Sequence, residues 1–271
     1  MGTVVVAGSS GLIGTALVAA LEAEGTSVVR LLRPGSPPAD NGAAWDPDAG
    51  TIDAAALEGA DAVVNVAGAG VGDHRWTDAH KAAVLRSRVG TTALLAETLP
   101  TLSHPPAVFV SGSASGYYGD RGDDILDEDS GPGAGFLADV CRRWEGAAQP
   151  AAGAGIRTVQ IRSGIVLSGA GGALGRLLLP FRLGLGGRIG SGRQWWSWIS
   201  IHDEVDAIRH VIRTPGLSGP VNLTSPTPVR NDEFVATLGR VLRRPAFLPV
   251  PRFALRAALG DFADEGLLAS Q

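Results

Sequence analysis

The first fourteen residues, MGTVVVAGSSGLIG, restrict the fold more than any other part of the chain. Thr3 to Ala7 is a short, mostly β-branched apolar run, the composition of a strand buried on both faces. Gly8, Gly11 and Gly14 follow at once, and Thr15 to Ala23 carries apolar residues at helical spacing. Strand, glycine turn and helix in this order form the phosphate-binding opening of a dinucleotide fold. Gly8 permits the tight turn, Gly11 the approach of backbone to a pyrophosphate, and Gly14 the packing of helix on strand. Ser10, Leu12 and Ile13 lie between them, where unpaired N–H groups at the helix start face an anion. The spacing is G-x-x-G-x-x-G rather than G-x-G-x-x-G.

A chain of 271 residues, 45% hydrophobic, has room for one large α/β domain with a small appended lobe. A formal charge of −4 gives no reason to expect nucleic acid or an anionic membrane as partner. The single Cys141 excludes an intrachain disulfide and a cysteine-only metal cage, so no metal site is expected. No apolar run reaches membrane-spanning length, and Met1 leads straight into a strand, so a cytoplasmic location is the expectation.

Ser27 to Leu32 reads as the second strand, and the residues after it select the cofactor. An NAD-preferring fold usually places an acid here for the adenine ribose. This chain has Arg30-Leu31-Leu32-Arg33-Pro34 instead. An acid would repel a 2′-phosphate, whereas the Arg33 guanidinium can grip one through paired charge-assisted bonds. NADP(H) is the expected cofactor. Residues 34–60 read as a Pro/Gly/Asp-rich connection holding an isolated Trp45, followed by a short acidic helix. Ala62 to Val66 is the next buried strand, and Val66, Ala67 and Gly68 at its carboxyl end are cofactor-contact candidates.

A helix is expected from about Asp78 to Leu99, just after Trp76, a substrate-side candidate. The strand Ala107 to Ser111 leads into SGSASGYYG, where Ser111 is a cofactor candidate and Ser113 a hydroxyl able to orient a substrate oxygen. Tyr117 and Tyr118, the only tyrosines, are proton-donor candidates beside it. Thr158 to Ile165 is a strand containing Arg162, a further cofactor candidate. Residues 169–187 read as an amphipathic helix. Arg193 to Ile199 then gathers three of the six tryptophans, with Gln194, Trp196 and Trp198 as substrate-side candidates. Strand alternation puts Trp196 and Trp198 on one face, either a pocket wall or a seam between lobes. Asp203 is expected to cap a helix opened by His202-Asp203.

Together these stretches make the chain resemble the short-chain dehydrogenase/reductase superfamily in its extended, epimerase-like form, and more narrowly its atypical "epimerase family" branch. The resemblance rests on GSSGLIG at 8–14, DAVVNVAG at 61–68, RWT with SRVGTT across 75–92 and SGSASGYYG at 111–119. It continues through FLADVCRRWE at 136–145, IRSGIVL at 161–167, LPFRLGLGG at 179–187 and SGRQWWSWISIHD at 191–203. It implies a Rossmann-type doubly wound parallel sheet with a small C-terminal substrate lobe. The expected division is 1–167 plus about 200–226 for the nucleotide domain, with 168–199 and 227–271 for the lobe. The resemblance also implies a further helix beyond the LL-x-SQ segment that ends this chain.

One departure governs the chemistry. Active superfamily members use Tyr-x-x-x-Lys, and the corresponding helix here offers Phe136/Val140 or Leu137/Cys141. The only lysine is Lys81. Arg88 stands where the resemblance places a supporting Asn, so it is a candidate for tuning a phenol or holding an anion. The expected function is NADP(H)-dependent reduction of a small carbonyl or sugar-like substrate. A non-catalytic cofactor sensor and a nucleotide-sugar epimerase are the alternatives, and self-association stays open.

Overall fold

The computed structural model describes residues 2–271. The chain begins with β1 (Thr3–Ala7) and α1 (Leu12–Ala23). Alternate residues of β1 serve different cores. Val4 and Val6 pack with Leu17, Val18 and Leu21 of α1, while Val5 and Ala7 share a core with Leu95, Ala96 and Leu99. Such two-faced burial is what a parallel sheet covered by helices on both sides requires. The chain continues through β2 (Ser27–Leu32), β3 (Gly42–Asp46), β4 (Thr51–Ile52), β5 (Ala62–Asn65), α2 (Asp78–Thr98) and β6 (Val108–Ala114). Next come α3 (Phe136–Ala147), α4 (Gln149–Gly153), β7 (Arg157–Ser163), β8 (Ile165–Ser168) and α5 (Gly172–Arg182). The remainder is β9 (Trp195–Trp196), β10 (Trp198–Ser200), α6 (Ile201–Arg213), β11 (Gly219–Leu223), β12 (Val229–Arg230), α7 (Asn231–Leu242), α8 (Arg252–Leu259) and a π-helical turn at Ala263–Leu267.

The large sheet has the order β4-β3-β2-β1-β5-β6-β7-β11, parallel throughout except for β4. Strand order reverses between β1 and β5, which opens a crevice at their carboxyl ends, the ligand position in doubly wound sheets. Helices α1 and α6 cover one face, with Val205, Ile208 and Val211 joining the α1 core, and α2 covers the other. Outside this sheet, β8 pairs with β10 and β9 with β12. Among the described residues no helix is long and apolar enough to cross a membrane.

Three local expectations are corrected. The stretch read as a connection contains β3 and β4, with Trp45 buried and a three-residue 3-10 turn in place of an acidic helix. Strand β6 runs on to Ala114, because its register with β7 extends to Ala114 opposite Ser163. The cap of α6 is Ser200, whose Oγ accepts from the Asp203 N–H at 3.0 Å and donates to the Asp203 carboxylate at 2.8 Å.

Candidate functional site

The glycine turn is built to a backbone tolerance. Gly8 has φ +81°, and a Cβ there would stand 2.7 Å from the Ala67 nitrogen. A Cβ on Gly14 would stand 2.1 Å from the Gly8 carbonyl oxygen, so the helix lies on the turn with no room for a side chain. Helix α1 starts after Gly11 with no side chain capping its N–H groups. Unpaired amides, a close-packed turn and the helix dipole together suit an anionic phosphate. Ser10, Leu12 and Ile13 belong to this turn and the first helical turn, and Ile13 lines the adjoining cavity.

That cavity, about 360 Å³, lies at the crevice between the β1 and β5 ends and reaches across β6 and β7. Val66, Ala67, Gly68 and Arg88 form one wall, and Ser113, Ser115 and Ser163 stand on another. Asn65 fixes the first wall. Its amide donates to Thr92 Oγ1 at 2.9 Å and its carbonyl accepts from the Ala67 N–H at 3.1 Å. Trp144 Nε1 donates to the same Thr92 oxygen at 2.8 Å. Arg88 is spent on structure: it donates to the carbonyls of Ala69 (2.9 Å) and Val84 (3.2 Å) and its guanidinium lies over Trp144. Burial lowers its pKa below the usual arginine range.

Of the two helical registers left open by the sequence, Leu137 and Cys141 face this cavity, with Val140 and Trp144 beside them, while Phe136 packs against Trp76. Burial pushes the Cys141 thiol up to about 12, with the Glu145 carboxylate adding to the effect. It is a neutral wall group at physiological pH. From the opposite side, Phe262, Glu265 and Gln271 close the cavity. The Glu265 carboxylate accepts from the Leu137 N–H at 2.8 Å and so caps α3, and Ser115 Oγ donates to the Gln271 side chain at 3.1 Å.

Behind Ser113 runs a buried polar chain. Ser113 Oγ donates to Glu145 at 2.6 Å, and Arg162 holds both Glu145 oxygens, at 2.8 and 3.0 Å. Arg162 also donates to Tyr118 Oη at 3.0 Å, and Tyr118 donates to Asn222 at 2.7 Å. Burial opposes the Arg162 charge, yet its bonds to Glu145 and Tyr118 outweigh that and hold its pKa above the ordinary range. These contacts correct three expectations. Arg162 is not at the cavity, because Glu145 and Tyr118 consume its donors. Tyr118 is buried with its hydroxyl doubly engaged, and burial raises its pKa. Tyr117 lies with its ring 3.6 Å beneath the Arg162 guanidinium rather than in the cavity wall. Ser111 is fully buried in β6, its hydroxyl turned to the Gly112 carbonyl at 3.3 Å.

A second pair of the same kind stands on β7. Ser163 lines the cavity and its Oγ donates to Glu204 at 2.5 Å. Glu204 is fully buried, its other carboxyl oxygen is unpartnered, and burial raises its pKa to about 7. Sequence reading missed this residue, along with Ser115, Glu145 and Glu265.

The tryptophans of the 195–198 cluster stand apart from this cavity. Trp196 is buried against Phe234 with Nε1 on the Leu267 carbonyl (3.3 Å), and Trp198 Nε1 donates to the Thr227 carbonyl at 3.1 Å. They form a seam. Trp76, bonded to the Val71 carbonyl at 2.9 Å, packs between Phe136 and Phe262. Gln194 donates to the carbonyls of Ile189 and Leu267, both at 3.1 Å, and edges a second hollow of about 670 Å³. That hollow shares Gly116, Leu137, Glu265 and Gln271 with the first cavity. Arg33 is exposed just past β2, above Trp45.

Residues 4–136 match the model of the NAD dependent epimerase/dehydratase family. Over 268 residues the chain is 47% identical to epimerase family protein MT2273 of Mycobacterium tuberculosis, spanning 99% of this chain and 88% of that one. Among solved structures it is similar to human epimerase family protein SDR39U1 (isoform2) with NADPH, at a TM-score of 0.88 and 35% identity, covering 99% of this chain and 90% of that one. It is similar also to the nucleoside-diphosphate sugar epimerase from Corynebacterium glutamicum, at a TM-score of 0.78 and 36% identity, covering 97% of this chain and 60% of that one.

Proposed function

This chain belongs to the NAD dependent epimerase/dehydratase family, and from that premise we propose that it is an NADP(H)-dependent reductase of a small carbonyl compound. The observation that carries the reading is the uncapped start of α1, closed on its glycine turn and opening beside a cavity walled by serine hydroxyls. In that cradle, Gly8 to Gly14 would hold the pyrophosphate and Arg33 the 2′-phosphate, with Val66, Ala67 and Gly68 beside the cofactor. NADPH bound there would supply the hydride for reduction of a carbonyl carbon. The human relative solved with NADPH supports this choice of cofactor over NADH.

The direction follows from what stands at the Tyr and Lys positions of active superfamily members. Leu137 has no proton to move, and the Cys141 thiol, pushed up to about 12, is no base near neutral pH. Oxidising an alcohol needs a base, whereas completing a reduction needs only a proton source. Ser113 is held by Glu145 and presents its lone pairs to the cavity; Ser115 and Gln271 bond each other and turn to a ligand oxygen. Water reaching these hydroxyls supplies the proton, since neither tyrosine stands there. The larger hollow beyond Leu137 and Glu265 holds the rest of the substrate.

Calorimetric titration tests the reading. NADPH binds wild type more tightly than NADH does, and Arg33→Ala loses about 1.5–3 kcal/mol of NADPH affinity, roughly ten- to a hundredfold. Equal affinities for the two cofactors in wild type would overturn the assignment. Oxidation of NADPH with a panel of aldehydes and ketones tests the chemistry. Tight binding without turnover on any of them would replace the enzyme with a cofactor-binding sensor.

A further inference from the structure

Glu204 has no role in the chemistry above, and its position is unusual for a carboxyl group. It is fully buried in the first turn of α6, one oxygen 2.5 Å from Ser163 Oγ and the other without a partner. Ser163 ends β7 at the cavity wall, next to Gly164, where a Cβ would meet the Ser197 carbonyl oxygen at 2.6 Å. The backbone on that side is therefore closely packed.

Among the described residues no cation answers the carboxyl. Strands β6, β8, β10 and β11 carry no ionisable side chain. On β7, Arg157 donates to the carbonyls of Val211, Ile212 and Leu217, and Arg162 is taken by Glu145. On α1 the charged residue is Glu22, bonded to Arg30. On α6 itself, Arg209 and Arg213 hold Glu24, Asp206 holds Arg209, Asp203 bonds Ser200, and His202 and His210 make no bond to Glu204. Across the cavity stand Arg88, fixed on backbone carbonyls, the Cys141 thiol, and Glu265. Without a neighbouring cation, burial holds Glu204 protonated up to about pH 7.

We infer that Ser163 and Glu204 form a proton-linked contact that distinguishes the two oxidation states of the cofactor, Ser163 meeting the nicotinamide side and Glu204 ionising when that side is positively charged. This rests on the proposed reading that the cavity takes a nicotinamide. The oxidised ring is a cation and the reduced ring is neutral. The first supplies the counter-charge that the protein withholds, and the second does not. The chain then takes up the reduced cofactor without exchanging a proton and the oxidised one with release of a proton. Acidic conditions accordingly favour the reduced form.

Calorimetry in two buffers of different ionisation enthalpy counts protons on binding. The two cofactors share every phosphate, so the difference between them isolates the ring charge. At pH 6.5 the expectation is release of about half a proton or more per NADP⁺ beyond that for NADPH, absent in Glu204→Gln. Equal proton exchange for the two cofactors in wild type overturns the inference while leaving cofactor binding intact. A difference that persists in Glu204→Gln also overturns it, and assigns the proton to another wall group such as Glu265. Failure of either cofactor to bind overturns both this and the proposed function. Infrared spectra of wild type give a check that needs no variant. The carbonyl band of a protonated buried carboxyl should be present with NADPH and lost with NADP⁺; its persistence with both is the contrary result.

Discussion

Two serine–glutamate pairs flank the same cavity on neighbouring strands, and they differ in one component. Ser113 bonds Glu145, and Arg162 grips that carboxylate with two bonds; Ser163 bonds Glu204, and nothing cationic stands behind it. In the sheet register Ser113 lies opposite Arg162, and Ala114 opposite Ser163. One residue of displacement along β7 thus separates a charged pair from a neutral one. The first carboxylate is paired with a guanidinium, and its serine is a positioned acceptor. The second is a variable charge, set by whatever enters the cavity. Burial alone does not decide the state of an acid; the presence of a paired cation does.

The sharpest way to break this contrast is to remove the cation. Arg162→Leu should cost about 3–5 kcal/mol in urea unfolding, because Glu145 is left buried without its partner. The double variant Arg162→Leu/Glu145→Leu should recover most of that loss. Should the double variant be no better than the single one, packing and not charge was the cause.

Stability against pH sharpens the other half. Glu204 is raised from 4.5 to about 7, so between those values the unfolded chain ionises while the folded chain keeps its proton. Stability is therefore lost as pH rises through this window and is constant above it, by roughly 3 kcal/mol. Glu204→Gln should lack this component. Chemical denaturation of both proteins at pH 4.5 and 8 measures it, and parallel pH profiles would mean that Glu204 titrates alike in the folded and unfolded chain.

The smallest effect compares the serines. A hydrogen bond to an ionised group is worth more than one to a neutral group, so Ser113→Ala should cost about 1.5–3 kcal/mol and Ser163→Ala about 1 kcal/mol at pH 6. Denaturation midpoints give the order, and the reverse order would erase the distinction between the pairs.

The sequence carried the frame of this site more legibly than its polar wall. The glycine turn, the residues after β5 and the absence of a Tyr-Lys pair are all local features, readable from types and spacing. The choice between Phe136/Val140 and Leu137/Cys141 was not, because both registers are apolar and only contact with β6 selects one. Strand β3 escaped notice because Gly-Ala-Ala-Trp-Asp lacks β-branched residues and sits among prolines and glycines. The serines of 111–115 read as loop chemistry, since hydroxyl-rich stretches favour turns, whereas pairing with β7 keeps them in a strand. Glu204 lay in an acidic stretch that looks solvated, yet its spacing to Ile208 and Val211 puts it on the buried stripe of α6, a usable signal. Glu145 follows Cys141 by four residues, the same signal on α3.

The Asn65 clamp has a consequence for how such chains diverge. Its amide is satisfied by hydroxyls of α2 and an N–H of the loop after β5, and Thr92 accepts from both Asn65 and Trp144. Replacing Thr92 removes the acceptor of Trp144 Nε1 and leaves the Asn65 amide only its 3.4 Å contact with Thr91. Thr92 and Trp144 should therefore drift as a pair: lineages keep both, or exchange them together for an apolar set. A replacement of Thr92 becomes acceptable only on a background where Trp144 has already changed, which makes this interior contact a site of strong epistasis.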